Sequence, residues 1–135
     1  MTSLEQSIFF SDYSSTSSVS TATSATGTIT ITDYANILDT TAFEINDNAE
    51  VINHYAYLEA GGGEWTLGAS NDATASNLAA AINNRPDELI TASVTANVIT
   101  LTAIVPGTLA NSYIISTDDE TRVTLSGDYL SGGTD

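Results

Sequence analysis

The chain contains no cysteine and no lysine. Without cysteine there are no disulfides, no thiolate chemistry, no cysteine-ligated zinc and no iron–sulfur cluster. Redox compartment therefore leaves no mark. Without lysine, Arg85 and Arg122 are the only strong bases against 17 acids, and the 135 residues carry a formal charge of −15. Phosphate backbones need cationic partners, so direct nucleic-acid binding is not expected. An anionic membrane repels such a chain as well, and no membrane association is expected. No apolar run reaches the roughly 18–20 residues of a spanning helix. The opening "MTSLEQSIFF" lacks a basic n-region and a long apolar core, and no Asn-x-Ser/Thr sequon occurs. Action outside a cell is expected to follow assembly or lysis, not classical secretion.

What is present is serine, threonine and alternation. The length suits one domain with an appendage. Residues 1–25 read as an extended Ser/Thr-rich arm, too poor in apolar residues to build a core. Its exception is a cluster near the tip: Leu4, Ile8, Phe9, Phe10 and Tyr13. An apolar tip on a polar spacer suits docking on a neighbouring subunit. The plainer reading is a tail with scattered hydrophobes.

Residues 26–135 read as a single β-rich domain. In "GTITITD", Ile29 and Ile31 face one way and Thr28, Thr30 and Thr32 the other, as in a half-buried strand. "TAFEIND" repeats this with Phe43 and Ile45. "EVINHYAYLE" is a longer strand candidate, Gly61–Gly63 a turn, and "EWTLG" a further strand with Trp65 and Leu67 on one face. A single helix is expected near residues 72–84, capped by Asn71 or Asp72. Ala75, Leu78, Ala79 and Ile82 form its apolar stripe, and Pro86 stops it. Then Ile90, Ala92 and Val94 alternate with Thr91, Ser93 and Thr95. A turn near Ala96-Asn97 leads into Ile99, Leu101 and Ala103, a hairpin pattern. "SYIIS" and "RVTLSG" are short strands around "TDDE", and Tyr129 and Leu130 are candidate anchors of the tail. The fold class expected is α+β: mostly antiparallel, sandwich-like β-sheet with one short helix laid on it.

Chemistry is harder to find. His54 shares a strand face with Ile52, Ala56 and Leu58 and reads as structural. Asp118, Asp119 and Glu120 could supply calcium oxygens, but EF-hand spacing and its glycine are missing, so a solvated loop is favoured. "GGGE" lacks the lysine and helix of a phosphate loop. Tyr55, Tyr57 and Trp65 are either core or a face that stacks on sugars. No nucleophile–base pair, paired-carboxylate arrangement or metal-ligand set stands out, and no cofactor is expected.

One long stretch has a familiar pattern. "NDATASNLAAAINNRPDELITASVTANVITLTAIVPGTLANSYIIS" resembles a module recurrent in virion proteins of tailed bacteriophages. Its signature elements are a small-residue helix (Asn77 to Asn83), a Thr-rich hairpin (Val94 to Ala103) and a proline turn (Pro106 to Ile114). "TGTITITDYAN" and "GGEWTLGASNDA" extend the likeness over residues 26 to 130. The resemblance implies a non-enzymatic building block of a virus particle, since such modules carry no catalytic residues. The role expected is capsid decoration (cement) or a neck or tail component. Its partners would be other virion proteins and further copies of itself. The alternatives are a glycan- or receptor-binding fibre module using Tyr55, Tyr57 and Trp65, and a tail sheath-like subunit.

Overall fold

A computed structural model describes residues 21–38, 40–47, 55–59, 65–85 and 89–135. The arm residues Leu4, Ile8, Phe9, Phe10 and Tyr13 lie outside the described residues, as do His54 and the turn at Gly61–Gly63. Among the described residues the strands are β1 (Thr26–Ile31), β2 (Ala42–Asn46), β3 (Tyr55–Glu59), β4 (Ile90–Thr95), β5 (Val98–Ala103), β6 (Ile114–Thr117) and β7 (Val123–Leu125). One α-helix, α1 (Asn71–Asn83), lies between β3 and β4, and short 3-10 turns occur at Tyr34–Asn36 and Leu109–Ser112.

The strands form a four-stranded sheet, ordered β4-β5-β1-β7, and a three-stranded sheet, ordered β3-β2-β6. Every pairing is antiparallel. The fold is therefore α+β, mostly antiparallel sheet with one helix. Period-two alternation sets the inner faces. Ile29 and Ile31 of β1, Ile99 and Leu101 of β5, Phe43 and Ile45 of β2 and Ile115 of β6 join one buried core. Gly27 lets the sheets approach each other, because a Cβ there would lie 2.9 Å from Leu130 Cδ2 and 3.3 Å from Ile115 Cδ1.

The helix closes the core with the stripe its spacing foretells: Ala75, Leu78, Ala79 and Ile82 are all buried. Full burial of Leu78 and Ile82 contributes roughly 1.5–3 kcal/mol each. The cap lies one residue earlier than expected. Ser70 is the N-cap, and its Oγ accepts from Ala73 N at 3.0 Å. Asn71 and Asp72 instead occupy the first turn, where Asp72 still meets the positive end of the helix dipole. The hairpin turn falls at Ala96-Asn97, with Ala96 at φ +53°.

Three local expectations change. "EWTLG" is not a strand: residues 65–68 run as irregular chain into α1. Their backbone is satisfied by helix side chains instead of a ladder, with Thr66 O accepting from Asn77 Nδ2 and Gly68 N donating to Thr74 Oγ1, both at 2.9 Å. Gly68 permits this contact, since a Cβ there would lie 2.5 Å from Ala73 Cβ. On β4, Ile90 is buried but Val94 is 36% exposed, so core coverage fades along that strand. Of the two tail anchors, Leu130 is buried and Tyr129 is exposed, although Tyr129 bridges to Ile114.

The packed unit also takes in chain ahead of residue 26. Ala25 is fully buried, and its carbonyl accepts from Ala103 N at 2.9 Å. Thr23 pairs with Thr134, tying the entry of the domain to its last strand-like segment.

Candidate functional site

The acidic loop is the densest group of carboxylates that the sequence singles out, and the structure gives its aspartates protein partners. Asp118 Oδ1 accepts from Ala42 N at 2.9 Å, stapling the loop to the start of β2. Asp119 Oδ2 pairs with Arg122 Nη1 at 3.1 Å, and the Asp119 carbonyl accepts from Val123 N at 2.9 Å. Arg122 also lies 3.9 Å from Asp33 through its Nε. Glu120 is exposed, and its carbonyl accepts from Thr124 Oγ1. The loop is thus a crossover from β6 of one sheet to β7 of the other, braced by its two aspartates. Among the described residues no three His, Asp or Glu side chains converge as metal ligands.

The aromatic group divides. Trp65 is 1% exposed, and its Nε1 donates to Thr74 O at 3.3 Å. A buried, hydrogen-bonded indole is a core residue and presents no open face to a sugar ring, which corrects its candidacy as a ligand-face residue. Tyr55 and Tyr57 sit in β3 opposite Asn46 and Glu44.

Amides and hydroxyls tie much of the domain together, a bracing role that the sequence pattern does not announce even for Asn71, expected there only as a helix cap. Asn71 Oδ1 accepts from Tyr34 N while its Nδ2 donates to Thr32 O. Asn83 meets both backbone groups of Ala92 at 2.8 Å. Asn111 does the same for Gly133, at 3.0 and 2.8 Å. Asn97 Nδ2 reaches Ile31 O at 2.9 Å. An amide side chain carries a donor and an acceptor, like a peptide unit, so each can stand in for a missing strand neighbour. The helix supplies Asn71, Thr74, Asn77 and Asn83 to three separate segments. Its chemistry is to satisfy backbone.

Two further groups are tuned by their surroundings. Burial raises the pKa of the Tyr113 phenol, and the charge of Asp47 adds to the effect. Asp135 is pulled below the usual carboxylate range because it accepts from the backbone and the hydroxyl of Thr108, both at 3.0 Å.

An ordered surface is formed by the outer face of the four-stranded sheet. In one row Thr91 pairs with Thr102, and Thr102 with Thr26. In the next, Ser93 pairs with Thr100 and Thr100 with Thr28; in the third, Thr95 faces Val98, Val98 faces Thr30, and Thr30 faces Thr124. Neighbours lie ~4.8 Å apart across strands and ~6.7 Å apart along them. Apart from Val98 every member is Thr or Ser, and none is ionisable. All are exposed or half-buried. In a molecule of charge −15 these three rows hold no carboxylate.

No protein-family model matches the chain, and no curated protein sequence matches it.

Proposed function

We propose that this chain is a non-enzymatic structural protein of a tailed-bacteriophage particle. It acts as a capsid decoration protein or a neck or tail component, and it packs against other virion subunits through its β-domain and N-terminal arm. The observation that carries this reading is the uncharged Thr/Ser face of the four-stranded sheet. Bringing two acidic proteins together is opposed wherever carboxylates meet. This face removes that opposition, and its methyl groups and hydroxyls offer both contact area and hydrogen bonds. The resemblance over residues 26 to 130 supports the same class of role.

The described acids and amides support it from another side. Asp118, Asp119, Asn71, Asn83 and Asn111 are engaged by backbone or by Arg122. Groups so held are braces, and braces suit a protein whose product is a shape.

The test is quantitative mass spectrometry of purified particles from the phage that encodes the chain. The native protein is expected in a fixed copy number. Hundreds would indicate capsid or sheath-like placement, and six to a few dozen a neck, baseplate or fibre. A variant carrying Ser93→Glu and Thr124→Glu, both exposed and on opposite edge strands of that sheet, should fold yet be lost from particles. A chain absent from particles ends this reading.

A further inference from the structure

We infer that the apolar arm tip of one copy, Ile8, Phe9 and Phe10, docks on the loop carrying Ile104, Val105 and Leu109 of a second copy. This deepens the proposed function and rests on its reading of the arm as a docking element.

The receiving surface comes first. Ile104 is 46% exposed, Val105 62% and Leu109 72%, all within one short stretch after β5. Single exposed hydrophobes are ordinary; three within six residues of one loop concentrate apolar surface there. The loop is also held in place. Ile104 N donates to Leu89 O at 3.1 Å, Gly107 N to Thr23 O at 2.9 Å, and Thr108 is gripped by Asp135. Pro106 fixes one φ between them. The apolar side chains are therefore presented by a braced backbone, which lowers the ordering cost of binding. Residues 104–112 carry no ionisable side chain, and the Asp135 carboxylate is turned onto Thr108.

The occupant follows from where the chain runs. Gly107 of this loop binds the carbonyl of Thr23, so the N-terminal segment joins the domain beside the apolar patch. The segment ahead of it holds one concentrated apolar group, "IFF", with only Glu5 and Asp12 as charged neighbours. Fully extended, the chain from Phe10 to Thr23 spans up to roughly 45 Å, enough to cross to a neighbouring molecule. If two copies meet loop to loop, each arm root lies beside the partner's patch. A two-fold axis then makes two identical contacts, the commonest way a homo-oligomer closes.

The experiment uses the purified full chain, with no phage present. A photo-crosslinking phenylalanine analogue replaces Phe9, and equal amounts of 14N- and 15N-labelled protein are mixed before irradiation. The expected product is a mixed-isotope crosslink from position 9 to residues 104–109. Val105→Asp with Leu109→Asp should cut its yield at least about tenfold, as a loss of ~1.4 kcal/mol in affinity would. Circular dichroism should show that variant folded. Crosslinks confined to one isotope, crosslinks elsewhere, or none at all each overturn the inference. Particle incorporation is read separately, so the proposed function can survive this failure.

Discussion

The Asn83 side chain and the Ala92 backbone exchange two hydrogen bonds of 2.8 Å, one in each direction. Among the described residues β4 is an edge strand, bonded to β5 on one side. An open edge is a template for pairing with other chains. At its middle residue that template is occupied by the last residue of α1. The helix thus serves the domain twice, filling the core with Leu78 and Ile82 and covering an edge with Asn83.

Asn83→Ala should lower stability by about 1–2 kcal/mol, the net worth of two partly exposed hydrogen bonds. It should also promote concentration-dependent association through β4. Urea denaturation reads the first effect and sedimentation velocity the second. Unchanged values of both would make the clamp incidental.

Thr74 is fully buried, and its Oγ1 accepts the amide of Gly68 at 2.9 Å. Thr74→Val keeps the shape and removes the acceptor, stranding a partly buried N–H at a cost of about 1–3 kcal/mol. Thr74→Ser keeps the acceptor. Amide exchange at Gly68 should accelerate in the valine variant and not in the serine variant.

Much of the fold is legible locally, and its limits are physical. Ile29 and Ile31, or Leu78 and Ile82, announce their burial by spacing, because period alone decides which side faces inward. The β4–β5 hairpin is legible because its turn is local. The sheet order β4-β5-β1-β7 is not, since it joins segments far apart in sequence. Trp65 and Leu67 mimic strand alternation, yet their segment is held by side-chain-to-backbone bonds from Thr74 and Asn77, which apolar periodicity does not register. Other amide braces hide behind sequence distance: Asn111 looks like a loop residue until Gly133, 22 residues on, returns to meet it. The uncharged sheet face was half visible. Each strand shows its threonines, but only the register stacks them into rows.

Tyr113 gives a pH signature. Its folded pKa is raised above 10.0, first by burial and then by Asp47. The fold therefore favours the neutral phenol. The corresponding stability is fully present below pH 10 and is lost as pH rises through the raised folded value. Carboxylates are already ionised there, so they add no slope. Native protein should lose stability from pH 10 upward more steeply than Tyr113→Phe, with the remaining tyrosines as shared background. Equal slopes in chemical denaturation would mean that the phenol feels no such environment.

Salt and divalent ions separate general screening from a specific site. With a charge of −15, self-repulsion opposes the compact state, so sodium chloride should raise the unfolding temperature. Calcium and magnesium should raise it further and about equally, because each carries two charges to a diffuse field. A calcium site in the acidic loop would behave differently. Calcium accepts more oxygens in looser geometry than magnesium, so it would stabilise selectively and as its concentration exceeded its dissociation constant. The geometry argues for equality. Asp118 accepts Ala42 N, and Asp119 is paired with Arg122, so binding a metal would break bonds that hold β2 and β7 to the loop. Matched thermal scans in the two chlorides decide it. A calcium-only gain abolished by Asp119→Asn would make the loop a binding site after all.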